Sequence, residues 1–152
     1  MNTISVVIST RKRDEKFYQS IKKAFSNPKT EILLIENDNQ FSLSELYNNG
    51  LQDAKNDIVV FMHDDIIIES TNLTPKIIKM FEKNPEYGII GIAGTTDLVN
   101  GRWWEIRKSM HGKVYHEHEG KRHLSKYSNE SFVDDLKDVI CVDGLFFMVH
   151  KE

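Results

Sequence analysis

The stretch that most constrains this chain is Asp57-Ile58-Val59-Val60-Phe61-Met62-His63-Asp64-Asp65. Five apolar residues, mostly β-branched or aromatic, run directly into adjacent carboxylates. An apolar run of this length and type is expected as a strand buried on both faces, as in a parallel sheet. Ligands of open α/β sheets bind beyond the carboxyl ends of the strands. The strand therefore aims His63, Asp64 and Asp65 at the place where a ligand belongs. Neighbouring carboxylates repel each other, and burying them unpaired is costly. A divalent cation with a phosphate-bearing ligand removes that cost, because hard cations take oxygen ligands. The plainer alternative is a solvated turn, where Asp is common.

The segments before and after this strand alternate in period. Ile4 to Thr10 reads as a first strand, and Ser9, Thr10 and Arg11 follow at its end. A helix is expected from Asp14 to Phe25, with Phe17, Ile21, Ala24 and Phe25 on one face and Asn27-Pro28 as its stop. Glu31 to Ile35 reads as a second strand, ending in Glu36-Asn37-Asp38-Asn39. Ser42-Leu43-Ser44-Glu45 has the form of a capping box. Leu43, Leu46, Tyr47, Gly50, Leu51 and Ala54 should share the buried face of the helix it opens, with Gly50 at a close approach to the sheet. Thr74-Pro75 predicts the next helix start, with Thr74 as N-cap. Gly88 to Gly94 reads as one short buried strand. The order β-α-β-α-β-α-β predicts an α/β fold with a mostly parallel sheet.

After Gly94 the character changes. Residues 95–131 are polar, and Asn100-Gly101 and His111-Gly112-Lys113 are turn signals. Two or three short antiparallel strands are expected there. Val139 to Val142 and Leu145 to Val149 suggest two further strands joined by a tight bend at Asp143-Gly144. His111, His116, His118 and His123 crowd the polar stretch, but no cysteine joins them and their spacing matches no closed zinc pattern. A solvated loop is the better reading of them. Trp103-Trp104, if in a strand, would put one ring on each side, so at most one could stack on a sugar.

Composition excludes several classes. With 20 basic and 23 acidic residues among 152, the net charge is -3, which argues against non-specific nucleic-acid binding. The single cysteine, Cys141, cannot form an internal disulfide and reads as a small buried hydrophobe. No signal peptide or membrane-length apolar run is visible. The expected location is the cytoplasm, or the inner membrane surface as a peripheral protein. There is no G-x-G-x-x-G, Walker A or G-x-S-x-G sequence. One domain over residues 1–152 is expected, with 1–94 as its βα part and 95–152 as a second, truncated part.

Three strand ends should meet on one edge: Ser9-Thr10-Arg11, Glu36-Asn37-Asp38-Asn39 and His63-Asp64-Asp65. Thr3 to Thr10 resembles the opening strand of family 2 glycosyltransferases of the GT-A fold. Glu45 to Asp65 is similar to that family's middle block, a helix leading into a strand capped by a D-x-D motif. Val142 to Val149 resembles a later segment. The Tyr-Asn-x-Gly and His-Asp-Asp variants, with Gly88 to Gly91 and Trp103-Trp104, resemble a bacterial subgroup associated with capsule or surface polysaccharide synthesis.

This resemblance implies a Rossmann-like, three-layer α/β/α fold with a small antiparallel region in its carboxy-terminal part. Residues 1–94 would bind the nucleotide, and 95–152 would form the acceptor side. The implied activity moves a sugar from a nucleotide-diphospho-sugar, a UDP-sugar by preference, to a saccharide or lipid-linked acceptor. Asp65 stands at the metal-holding position of D-x-D, with His63 replacing the first Asp, so Mn²⁺ or Mg²⁺ is implied. His63 tilts the choice towards Mn²⁺, or else towards Asp64 sharing the load. Glu36 and Asn37 stand where the family contacts the base or ribose. Thr10 and Arg11 match positions near the nucleotide, and Asp143 and Gly144 match positions beside the transferred sugar. The implied chemistry is displacement at the anomeric carbon, with the metal as Lewis acid and a carboxylate base. The family's base lies beyond Asp143, which is a poor substitute for it. A form ending at Glu152 is therefore expected to bind donor but to transfer slowly or not at all. The alternative is a non-catalytic nucleotide- or carbohydrate-binding or interaction module on the same fold. A metal-dependent phosphohydrolase using Asp64 and Asp65 lacks a further acidic cluster. An apolar edge at Leu145 to Val149 would offer a route to a homodimer.

Overall fold

The computed structural model describes residues 3–11, 14–127 and 136–151. Its elements are β1 (Ser5–Thr10), α1 (Glu15–Ala24), β2 (Glu31–Glu36), α2 (Leu43–Asp53), β3 (Ile58–Met62), α3 (Leu73–Lys83), β4 (Ile89–Gly91), β5 (Ala93–Thr95), β6 (Met110–His118), β7 (Lys121–Lys126), β8 (Cys141–Val142) and β9 (Phe146–His150). The chain is mixed α/β and divides into two compact units, Met1–Ile90 with Gly144–Glu152, and Gly91–Asp143.

A five-stranded sheet in the order β2-β1-β3-β9-β4 organises the first unit. β1 pairs in parallel with both β2 and β3, and β9 runs antiparallel beside β3. All five residues of β3 are buried, as its unbroken apolar run requires. The mostly parallel order expected holds across β2, β1 and β3 and stops there. β9 takes the place beside β3, and the reason is composition. Phe146-Phe147-Met148-Val149 is apolar on both faces and suits an interior strand, whereas β4 has only three residues and leaves Ile89 48% exposed. Because β9 is interior, the apolar edge expected there for a homodimer is not a free edge.

The first two helices of this unit are started by local capping. Asp14 caps α1, its carboxylate accepting from Phe17 N–H at 2.8 Å, and Ile21 and Ala24 are buried. Ser42 and Glu45 form both halves of the predicted capping box at the start of α2. A Cβ on Gly50 would collide with Val7 Cγ1 of β1 and lie 3.2 Å from Ile35 Cδ1 of β2, so glycine lets α2 settle on the sheet. Leu43, expected on the buried face, is instead 43% exposed at the helix start. Val7, Val59 and Phe61 cluster with Ala54, and Tyr47, Leu51 and Phe147 pack around them. α3 corrects the predicted start. It begins at Leu73, after Asn72 in a left-handed conformation (φ 55°). Thr74 does not cap it; its buried hydroxyl pairs with Thr30 Oγ1 at 2.9 Å.

The second unit holds a four-stranded antiparallel sheet in the order β7-β6-β5-β8. The single strand expected over Gly88 to Gly94 breaks at Ile92, which bends, so β4 and β5 enter different sheets. β8 and β9 likewise belong to different sheets rather than to one hairpin. Asn100 (φ 52°) and Gly101 (φ 73°) make the predicted turn. Gly112 does not turn; it lies inside β6 at φ 115°, where a Cβ would collide with Ile92 O. The histidines sit on a β6–β7 hairpin and not in a loop, with His116 opposite His123. Trp103 and Trp104 lie in a turn, so strand alternation does not apply to them. Trp103 meets Tyr127 edge-on at 5.5 Å, and Trp104 is exposed. Cys141 is half-buried rather than buried.

Candidate functional site

The parallel strands β1, β2 and β3 end on the same edge, and a cavity of about 200 Å³ lies there. Ser9, Thr10 and Arg11 line it from β1, Asn37 and Asn39 from the loop after β2, Leu43 and Tyr47 from α2, and His63 and Asp64 from the end of β3. The volume is below the 300–1,000 Å³ typical of pockets for drug-sized ligands, so it suits one moiety of a larger ligand.

Each contribution has a structural origin. Asn37 N–H donates to Thr10 O at 2.8 Å, which extends the β1–β2 pairing to the rim. The Asn37 side chain then organises its own loop. Its Oδ1 accepts from Gln40 N–H (3.0 Å) and Phe41 N–H (3.1 Å), and its Nδ2 donates to Phe41 O (2.9 Å). The capping box starts α2 immediately afterwards, so Leu43 and Tyr47, four residues apart, share the helix face at the cavity. His63 N–H donates to Leu145 O at 3.1 Å, which holds the end of β3 against the returning segment.

Tyr47 is held by aromatic packing. Its ring lies 4.8 Å from Phe61 and 6.0 Å from Phe147, and those two stack at 5.1 Å. Its hydroxyl oxygen is buried and has no hydrogen-bond partner among the described residues. Burial first, and then the negative charge of Asp64, push the phenol up to about 12. The group is therefore neutral over the physiological range.

Of the residues expected at the site, Thr10, Arg11, Asn37, His63 and Asp64 come together around the cavity. Glu36 ends β2 exposed, and it is not among the lining residues. Asp65 is also outside the lining, but its Oδ1 lies 3.8 Å from His63 Nδ1. Gly144 does not line the cavity, and Asp143 belongs to the second unit, where its N–H donates to Ala93 O at 2.8 Å. Ser9 and Asn39, which belong to the strand ends expected to converge, also line the cavity, and Tyr47 and Leu43 join it although the sequence singled them out only as core. The i, i+4 spacing of Leu43 and Tyr47 behind a capping box was the available signal.

His63 and Asp65 form a nitrogen and oxygen pair that could serve as two ligands of one divalent cation, which fits Mn²⁺ by donor type. Among the described residues, no three His, Cys, Asp or Glu side chains gather to hold a metal. A cation at this pair would have to complete its shell with ligand oxygens and water, as Mg²⁺ commonly does on phosphate ligands. Among those residues, no helix is long and apolar enough to cross a membrane. No curated protein matches the chain. The model of a glycosyltransferase-like family, by contrast, matches residues 6–152, and the chain belongs to that family.

Proposed function

We propose that the cavity is the donor site of a divalent-metal-dependent glycosyltransferase of GT-A, three-layer architecture. It would move a sugar from a nucleoside-diphosphate donor, UDP-linked by preference, to a saccharide or lipid-linked acceptor in bacterial surface polysaccharide synthesis. One observation carries this reading: the carboxyl ends of three parallel strands converge on a cavity that combines Arg11, His63 and Asp64, beside Asp65. Arg11 offers a cation to an anionic ligand. Thr10 and Ser9 present polar groups at the end of β1. His63 and Asp65 would hold Mn²⁺ or Mg²⁺, which when bound would stabilise negative charge on a departing diphosphate. Asp143 and Gly144 are assigned to the transferred sugar only by family resemblance. The location proposed is cytoplasmic or peripheral at the inner membrane.

A second reading has its own support. Among the described residues Asp64 is the only carboxylate that lines the cavity, and with His63 assigned to the metal no further carboxylate is at hand to act as general base for an acceptor hydroxyl. This favours a form that binds donor with little or no transfer.

Calorimetric titration of UDP with and without Mn²⁺, on the native protein and on Asp65→Ala, tests the donor site. Metal-dependent binding that weakens at least tenfold in Asp65→Ala is expected. Failure of UDP, GDP, CDP and TDP to bind under every metal condition would sink the donor-site reading.

A further inference from the structure

Tyr47 carries a hydroxyl that the fold leaves unsatisfied. Its oxygen is buried, yet it meets no partner among the described residues. A buried polar atom without a partner is destabilising, so its presence calls for a reason. The ring cannot readily swing the hydroxyl out to water, because Phe61 and Phe147 pack against it. The residue lines the same cavity as Thr10, Arg11, His63 and Asp64.

The neighbouring group narrows what could complete it. Asp64 also lines the cavity, and its charge is felt at the Tyr47 phenol. A protonated phenol can donate a hydrogen bond, and a carboxylate can only accept one. A ligand hydroxyl answers both, accepting from Tyr47 and donating to Asp64. A carbonyl oxygen answers only the phenol, and a phosphate oxygen is repelled by Asp64.

We propose that Tyr47 determines specificity at this cavity, its unpartnered hydroxyl donating a hydrogen bond to a hydroxyl group of the bound ligand. The inference rests on the donor-site reading, under which that group is a ribose hydroxyl of the nucleoside diphosphate. A site built to bond a hydroxyl discriminates strongly against the analogue that lacks it.

The test is calorimetric titration of UDP, 2′-deoxy-UDP and 3′-deoxy-UDP, with Mn²⁺, into the native protein and Tyr47→Phe. The variant should bind UDP about tenfold more weakly, as for one lost hydrogen bond. One deoxy ligand should bind the native protein comparably weakly and lose nothing further in the variant. Without ligand, Tyr47→Phe should melt no lower than the native protein, because it keeps the ring contacts and removes an unsatisfied hydroxyl. Equal UDP affinity in the two proteins overturns the inference, as does a variant that melts lower without ligand. Full additivity with both deoxy ligands also overturns it, since the bond is then to another atom. Native protein that binds no nucleoside diphosphate removes the donor site and this inference together. Native binding with an indifferent Tyr47→Phe removes this inference alone.

Discussion

At the scale of single residues, the site is governed by where small and aromatic side chains sit behind it. Gly50 lets α2 rest on β1 and β2, because a Cβ there would collide with Val7 and crowd Ile35. Val7 is fully buried and β-branched, so it has little freedom to move aside. Gly50→Ala gains about 1 kcal/mol of helix propensity. Overpacking a tight contact costs about 1–3 kcal/mol. Net destabilisation is expected in urea unfolding, and a more stable Ala variant would mean that the sheet yields. Tyr47, one helical turn earlier, shows how burial can mislead a reading of sequence. Its periodicity marks it correctly as facing the sheet, and its ring does pack on Phe61 and Phe147. The residue also lines the cavity, and its hydroxyl is buried without a partner among the described residues, which helical spacing gives no information about.

At the scale of elements, α2 is the clearest case of local chemistry deciding local structure. Ser42 Oγ accepts from Glu45 N–H at 3.3 Å, and Glu45 Oε2 accepts from Ser42 N–H at 2.8 Å and Ser42 O–H at 2.7 Å. The hydrogen bonds from the Ser42 side chain and then its backbone hold the Glu45 carboxyl below the usual carboxylate range. Ser42→Ala should cost about 1 kcal/mol of stability, measured by thermal or urea unfolding. A loss below about 0.3 kcal/mol would show that packing alone holds the helix start. The start of α3 went the other way. Thr74-Pro75 has the form of a helix start, but Thr74 spends its hydroxyl on Thr30, 44 residues away. A contact of that separation is invisible to any local pattern. The split of the Gly88 to Gly94 run has the same character, since only strand pairing separates β4 from β5.

At the scale of the whole molecule, the edge of the sheet opposite the cavity is tied by one carboxylate. Glu31 Oε2, at the start of β2, accepts from Ser5 O–H of β1 at 2.7 Å and from Lys55 N–H, just before β3, at 2.9 Å. The Lys55 ammonium stands 3.2 Å from Oε1. Burial acts to raise the Glu31 pKa, but the bonds from Lys55 and Ser5 outweigh it and bring it below 4.5. A lowered folded-state pKa stabilises the protein above the unfolded value and is lost as pH falls through the folded value. Urea unfolding of the native protein and Glu31→Gln should therefore differ most at neutral pH. The difference should shrink as pH falls below 4.5. A difference that does not change with pH would show that the charge on Glu31 contributes nothing to joining the strands.

Strand and helix types in the first half of the chain follow from local chemistry. The β3 run is apolar throughout, the capping box is closed within four residues, and the three polar strand ends follow from parallel pairing. That is why Thr10, Arg11, Asn37, His63 and Asp64 could be named together beforehand. What local chemistry does not contain is partnership at a distance. The insertion of β9 beside β3, the diversion of Thr74 to Thr30 and the packing of Tyr47 on Phe61 and Phe147 all arise from residues remote in sequence. Apolar burial selects which segments go inside, but it is non-directional. Strand order and the aim of a single polar atom are decided only when every segment competes for the same space.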